Sequence, residues 1–331
     1  MPKSVAIVGA GVSGLTCGVL FAERGFRTVV FAEETGARTT SAAAAAIWYP
    51  YDAAPADKVI AWALESYDVF RELSRDPRSG VSMIELRTFS RAGEIEIPSW
   101  ADSLGARRLV MSSEYASPAR TETSLIVNRT VFKSGFVMTV PLIDTTIYLD
   151  YLAQRFVGAG GKTSDNVRFA KLEDVDREFP LVINCSGIGA KSLVPDRDVE
   201  PHRGQVAIVP KLDLSCAIVS DDPPLMYAIP RANDCVFGGT NELSENRAPD
   251  PSATSRIVAE CSRVLSIDEP NVIAERVGLR PFRKSGVRVA PDRLRDGRLV
   301  IHNYGHGGSG FTLSWGCAKR VLHLAENPLP A

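Results

Sequence analysis

Ser4-Val5-Ala6-Ile7-Val8-Gly9-Ala10-Gly11-Val12-Ser13-Gly14 is the stretch that decides the fold of this chain of 331 residues. Its first five residues form an apolar run of strand length that ends at a glycine. The near-continuously apolar segment Val12 to Ala22 follows, long enough for a buried helix, with Arg24-Gly25 giving a basic last turn and a glycine stop. A second apolar run, Thr28 to Ala32, closes a strand-helix-strand unit of about 30 residues. Gly9, Gly11 and Gly14 make a GxGxxG string, a pattern common by chance. Its place between strand and helix gives it meaning, together with Glu33, 19 residues beyond Gly14 at the end of the second strand. An acid there can bind both ribose hydroxyls of an adenosine, Glu34 being the neighbouring candidate, while amides around Val12 and Ser13 at the helix N-terminus suit a pyrophosphate. A tight turn in a nucleotide-free α/β fold is the competing reading.

A second glycine-rich turn lies near the other end: Val300-Ile301-His302-Asn303-Tyr304-Gly305-His306-Gly307-Gly308-Ser309-Gly310-Phe311-Thr312. Four glycines within residues 305–310 mean that the main chain approaches something closely. A helix beginning near Thr312 presents its positive dipole end there, which suits the negative charge that a reduced flavin develops on its N1–C2=O edge. An ordinary strand-to-helix loop is the alternative.

Between these turns the pattern alternates. An amphipathic helix spans Ala56 to Leu73, stopped by Asp76-Pro77, and short strands with glycine turns follow, as in Met83 to Ser90 and Val131 to Thr139. Pro141 is expected to open a helix running through Phe156, and Leu181 to Cys185 reads as a buried strand of parallel-sheet character. Short strands recur from Gln205 to Asn241, then an amphipathic helix near Ser252 to Leu265. Strand Arg298 to Asn303 leads into the last helix, with Phe311, Trp315, Ala318, Leu322 and Ala325 on one face. The expected organisation is a discontinuous nucleotide-binding domain of residues 1–78, 140–200 and 278–331, and a second domain of residues 79–139 and 201–277.

Composition fits a two-domain globular enzyme: 45% of residues are hydrophobic, 23% are charged and the formal net charge is −1. That balance gives no basic surplus for nucleic acid. Six scattered cysteines form no CxxC pair and no metal-type spacing. No signal-peptide pattern opens the chain, no apolar stretch reaches ~18 residues, and the C-terminal Asn327–Ala331 is not a Ser-Lys-Leu address. The expected location is the cytoplasm, without metal or membrane.

The segment Ile301 to Ala318, IHNYGHGGSGFTLSWGCA, resembles the C-terminal signature of the D-amino-acid oxidase family. Further resemblances run in the family's order: Arg38-Thr39-Thr40-Ser41, Ile47-Trp48-Tyr49-Pro50, Asn184-Cys185-Ser186-Gly187, Arg203-Gly204-Gln205, Tyr227-Ala228-Ile229-Pro230 and Gly278-Leu279-Arg280-Pro281. Together they cover most of the chain. The resemblance implies an α/β fold, a Rossmann-like FAD-binding domain plus a sheet-rich α+β substrate domain. It implies oxidation of a D-amino acid to an imino acid with O2 as the final acceptor, giving H2O2, then hydrolysis to a 2-oxo acid and ammonia. It places FAD against the N-terminal turn and against Arg38, Thr39, Thr40, Ser41, Ile47 and Trp48. Ser186, Gly187 and Arg288 complete the middle of that set, and Gly305, Gly307, Gly308, Ser309, Gly310, Phe311 and Thr312 the C-terminal part.

For the substrate, Arg280 matches the family's carboxylate-binding arginine, whose guanidinium can form two parallel hydrogen bonds to a carboxylate. Tyr227 matches a tyrosine that helps hold the same group, and the Gly308 carbonyl is expected to receive the amine. No side-chain base is required, because a positioned neutral amine can lose hydride from Cα directly. His302 and His306 therefore read as structural, and Ser186 and Cys185 as adenine-side packing. Two departures stand out. The family's longer lid is shortened to Asp221-Asp222-Pro223-Pro224-Leu225-Met226, and Tyr49 stands where relatives often place an amide or histidine. Gly308 and Asn241 favour neutral D-amino acids over D-aspartate, with Arg231 the one local cation arguing otherwise. A glycine- or sarcosine-type amine oxidase is the nearest alternative, a flavin-binding protein without oxidase activity a more distant one, and a homodimer the assembly left open.

Overall fold

Residues 4–110 and 131–327 are described by the computed structural model; the part of the expected strand-rich block at 111–130 lies outside them. The chain opens with β1 (Ser4–Val8), α1 (Val12–Glu23) and β2 (Arg27–Phe31), as the glycine string implied. Helix α2 (Ala56–Leu73) buries a stripe of Val59, Ala63, Ser66, Tyr67 and Phe70, the spacing of one helical face. Then come β3 (Val81–Ser90), the short α3 (Ser99–Asp102), β4 (Arg107–Arg108) and β5 (Ser134–Ile143). Helix α4 (Thr145–Gly158) leads to β6 (Lys162–Ser164), β7 (Leu181–Asn184) and the short α5 (Ala190–Leu193). A second run of strands follows: β8 (Val199–Pro210), β9 (Cys216–Ser220), β10 (Met226–Pro230), β11 (Asp234–Gly238) and β12 (Glu242–Leu243). Helix α6 (Pro251–Leu265), β13 (Ala274–Arg283), β14 (Arg288–Arg293), β15 (Leu299–Tyr304) and α7 (Gly310–Glu326) complete it.

Two sheets result. One has six strands in the order β14-β15-β7-β1-β2-β6, parallel except for β14. Its central strand is covered on both faces: Val5 and Ile7 join the main core, while Ala6 and Val8 pack with Leu172, Phe179 and Val182 on the other side. The second sheet has nine strands, β12-β8-β11-β10-β9-β3-β5-β4 with β13 also paired to β8. Alternation decides its faces as well. Val206 and Ile208 of β8 enter the main core, whereas Ala207 and Val209 meet α6 through Ile257, Val258 and Cys261.

Two expectations shift. Pro141 does not open a helix; it lies in β5 opposite Met83, and its carbonyl accepts from the Trp48 amide. The cap is Asp144, whose carboxylate accepts from the Thr146 N–H, so α4 starts at Thr145. The expected boundaries at 140, 201 and 278 fall inside β5, β8 and β13, all strands of the nine-stranded sheet. Among the described residues no helix is long and apolar enough to cross a membrane, and all six cysteines are free and buried.

Helix α7 crosses α2 at close range because Gly316 carries no side chain. A Cβ there would stand 2.3 Å from the Trp62 carbonyl oxygen, a backbone atom that cannot swing away. Gly316→Ala is expected to lose roughly 1–3 kcal/mol by overpacking, read as a lowered thermal midpoint; an unchanged midpoint would show that the crossing tolerates a methyl group.

Candidate functional site

A cleft of about 680 Å³ runs from the C-terminal end of β1 to the face of the nine-stranded sheet. At its first end the β1–α1 turn is bare backbone for a steric reason. Gly9 has φ +111°, and a Cβ on it would meet the Cys185 carbonyl oxygen at 2.3 Å; a Cβ on Gly14 would meet the Gly9 oxygen at 1.9 Å. Gly11 caps α1 with no side-chain hydrogen bond, and the Val12 N–H donates to Ser41 Oγ at 2.9 Å. The N-terminus of α7 opens on the same cleft, also uncapped by its own side chain. Two uncapped helix ends facing one space provide amide donors and positive dipole ends, with few full charges beside them. Glu33 and Glu34 line this end too, Glu33 beside Arg168 at 3.4 Å and Glu34 beside Arg247 at 2.9 Å.

In the middle, Ala43, Ala44, Ala45 and Ala46 form a wall of small side chains. Opposite them the C-terminal glycine turn clasps residues 49–52. The Tyr51 N–H donates to Ser309 Oγ at 2.7 Å and the Tyr49 N–H to Thr312 Oγ1 at 3.1 Å. A Cβ on Gly307 would lie 1.9 Å from the Asp52 oxygen, and one on Gly308 2.6 Å from the Tyr51 ring. The close approach that the four glycines signalled is thus, in part, to the protein itself. His306 is buried between Ser13 and Asn303, its Nε2 3.0 Å from Asn303 Oδ1, and burial lowers its pKa to about 4. His302 sits 3.2 Å from Asn184 Nδ2, and burial, then the nearby Arg288 charge, also bring it to about 4. Both rings are neutral hydrogen-bonding groups at neutral pH.

At the far end Arg280 is half-buried on β13 and lines the cleft. Its Nη1 donates to the Thr240 carbonyl at 3.0 Å and lies 3.4 Å from Asn241 Oδ1. Among the described residues no carboxylate pairs with it. Gly204 makes room for the guanidinium, since a Cβ there would stand 2.4 Å from Nη2, and Gly238 does the same for the Tyr227 ring at 1.8 Å. Burial raises the Tyr227 pKa and the Arg280 charge opposes this, so the phenol stays protonated and close to the cation. The Tyr51 hydroxyl accepts from Asn241 Nδ2 at 3.1 Å, closing a ring of polar groups around the guanidinium.

The cleft therefore brings together, from the residues named by sequence, Gly9, Gly11, Val12, Ser13, Glu33 and Glu34. It adds Thr39, Thr40, Ser41, Ile47, Ser186 and Gly187, then Tyr227, Arg280, Gly307, Gly308, Gly310, Phe311 and Thr312. Six others stand elsewhere. Gly14 packs against the Gly9 carbonyl within the β1–α1 turn; Arg38 is exposed outside the cleft; Trp48 is fully buried, its indole donating to the Ala63 carbonyl at 2.9 Å. Gly305 abuts Arg283, Ser309 is engaged by Tyr51, and Arg288 donates to the Tyr304 hydroxyl at 2.7 Å beside Asp292. Arg231 also leaves the site: it is buried against Asp234 at 2.7 Å, with Asp144 at 4.0 Å, and so offers no charge to a substrate. Sequence reasoning missed Tyr51, Arg247 and the role of the alanine run. The run was visible as an oddity of composition, whereas Tyr51 and Arg247 carried no local signal.

Small walls, two uncapped helix ends, a carboxylate pair at one end and an unpaired guanidinium at the other fit a long dinucleotide with a flat ring, leaving room for an anionic substrate. Residues 4–324 match the family model described as FAD dependent oxidoreductase. The chain is 38% identical to a protein named D-amino-acid oxidase from Rubrobacter xylanophilus, over 96% of this chain and 94% of that one. It is 37% identical to one of the same name from Streptomyces coelicolor, over 97% and 96%. Among solved structures, glycine oxidase from Geobacillus kaustophilus superposes with a TM-score of 0.81 at 18% identity, covering 99% of this chain and 95% of that one, a likeness of fold.

The buried histidines set a pH response. Their folded pKa values near 4 lie below the ordinary 6.5, so the unfolded chain takes up protons that the folded one refuses, and stability falls as pH drops below 6.5 until about 4. Each is expected to remove roughly 2 kcal/mol between about pH 7 and 5. Denaturant titrations should show that loss, and His306→Gln should reduce it; an equal loss in parent and variant would mean that His306 titrates normally.

Proposed function

The chain belongs to the FAD dependent oxidoreductase family, and from that premise we propose that it oxidises D-amino acids. The supporting observation is Arg280, a half-buried guanidinium held by neutral acceptors and free of any carboxylate among the described residues, facing the same cleft as two uncapped helix ends. In this reading Gly9, Gly11, Val12 and Ser13 take the pyrophosphate, and Glu33 with Glu34 the ribose. Thr39, Thr40, Ser41 and the alanine wall would hold the body of the cofactor, and Gly307, Gly308 and the α7 N-terminus would offer backbone dipole to a reduced, anionic ring. Bound FAD would supply the acceptor for the hydride from the substrate α-carbon and the route of its electrons to O2.

The protein's own part is positioning. Arg280 and the Tyr227 hydroxyl fix the substrate carboxylate, and Gly308 leaves its carbonyl for the amine. Orienting a substrate in this way lowers a barrier by up to roughly 7–11 kcal/mol. His306 lines the cleft but is neutral and engaged by Asn303, so it supplies neither charge nor a base. Six free, buried cysteines support a reducing compartment such as the cytoplasm.

Without O2, D-amino acids are expected to bleach the flavin of the purified protein and L-amino acids to leave it yellow; a flavin that no D-amino acid bleaches would overturn the reading. Arg280→Ala should retain flavin absorbance while kcat/KM falls by about 2–5 kcal/mol, roughly 30-fold or more. Near-parental activity would remove the carboxylate role.

A further inference from the structure

One charged group in the cleft has no task in the reaction described above. Asp221 begins the short connection between β9 and β10 and lines the cleft. Its surface is open to that space, yet the surrounding protein and then the neighbouring Asp222 raise its pKa, and no cation acts to lower it. Among the described residues no lysine, arginine or histidine forms an ion pair with it.

The connection is held in place. The Asp222 carboxylate turns into the protein, accepting from Ser90 Oγ at 2.7 Å, the Arg91 N–H at 2.6 Å and the Ala92 N–H at 3.1 Å. Arg91 also donates to the Pro224 carbonyl at 3.0 Å, and the Leu225 oxygen packs 2.2 Å from where a Gly239 Cβ would stand. With one carboxylate anchored inward, its neighbour is presented to the cleft by a pinned segment.

Asp221 and Arg280 address the same space. Burial raises the Tyr51 phenol most, with Arg280 lowering it and Asp221 raising it, and Tyr49 is raised by burial and then by Asp221; all four residues line the cleft. Opposite charges that share a cleft without pairing leave a gap that a zwitterion with a third charge can span, its carboxylate on Arg280 and a side-chain cation on Asp221. A carboxylate in the substrate side chain would meet like charge instead.

We propose that Asp221 sets side-chain specificity, favouring D-amino acids whose side chain ends in a cation, such as D-lysine and D-arginine, and rejecting D-aspartate and D-glutamate. This revises the expectation of neutral side chains, and it rests on the D-amino-acid oxidase reading. The test compares kcat/KM for D-lysine with D-norleucine, which lacks the ammonium group, and for D-glutamate with D-glutamine. The native enzyme is expected to prefer D-lysine to D-norleucine. Asp221→Asn, and separately Asp221→Ser, should lower that ratio at least tenfold and raise the D-glutamate to D-glutamine ratio. Ratios within one preparation are independent of how much of a variant folds. A native preference for D-norleucine, or ratios that move less than twofold in the variants, would overturn the role of Asp221 while leaving the oxidase reading intact. A native enzyme that oxidises no D-amino acid at all would overturn both.

Discussion

The clasp between the C-terminal glycine turn and residues 49–52 is the constraint on which the site depends. Ser309 and Thr312 each receive a main-chain N–H from this segment, and Gly307 and Gly308 lie so close to Asp52 and Tyr51 that any Cβ would collide. Through it, one short peptide is fixed simultaneously against the start of α7 and, by the 3.0 Å contact of Asp52 with His202, against β8 of the other sheet. Tyr49 and Tyr51 thereby become walls of the cleft rather than loop residues. The helix end that faces the cleft and the sheet that carries Arg280 are held to a common reference.

The electrostatic design follows from that packing. Full charges are scarce along the middle of the cleft: the histidines nearby are kept neutral by burial, and Arg231 is consumed by Asp234. What remains along the middle is fixed dipole from two helix ends, with Arg280 at the far end hydrogen-bonded to neutral acceptors. A preorganised dipole costs no reorganisation when charge appears next to it, whereas a flexible lysine would have to be ordered first. Arg280 is ordered in advance by the Thr240 carbonyl and by the space that Gly204 leaves beneath it.

Sequence made the six-stranded sheet legible because its signals are local. Val5 to Val8 and Leu181 to Ile183 are continuous apolar runs that suit a doubly covered strand, and Gly9 and Gly14 mark a turn that no side chain could enter. The start of α4 was misplaced because Pro141 is as acceptable in β5 as at a helix start, and the deciding cap, Asp144, is one polar residue among many. Arg280 and Tyr227 were singled out through resemblance alone, and both line the cleft. Arg38, Trp48 and Arg288 carry the resembling motifs, and their side chains are respectively exposed outside the cleft, buried, and turned to Tyr304. Tyr51 was invisible because its role comes from a contact 258 residues away along the chain.

A reaction that relies on positioning needs the two sheets to keep a fixed relation, and the clasp is one tie between them. The second lock is Arg231. Its guanidinium forks onto Asp234 at 2.7 and 2.8 Å, reaches Thr145 Oγ1 at 3.2 Å and the Ala45 carbonyl at 3.5 Å, and lies near Asp144. This ties the β10–β11 turn to the first residues of α4 and to the alanine wall. Buried ion pairs are poor sources of net stability, because desolvation offsets their attraction, but they are selective about geometry. One lock at each side of the cleft fixes Arg280 and Tyr227 relative to the α1 and α7 ends without a long moving lid. The short connection at Asp221–Leu225 is pinned as well, by Asp222 on Ser90 and the Arg91 and Ala92 amides and by Arg91 on the Pro224 carbonyl.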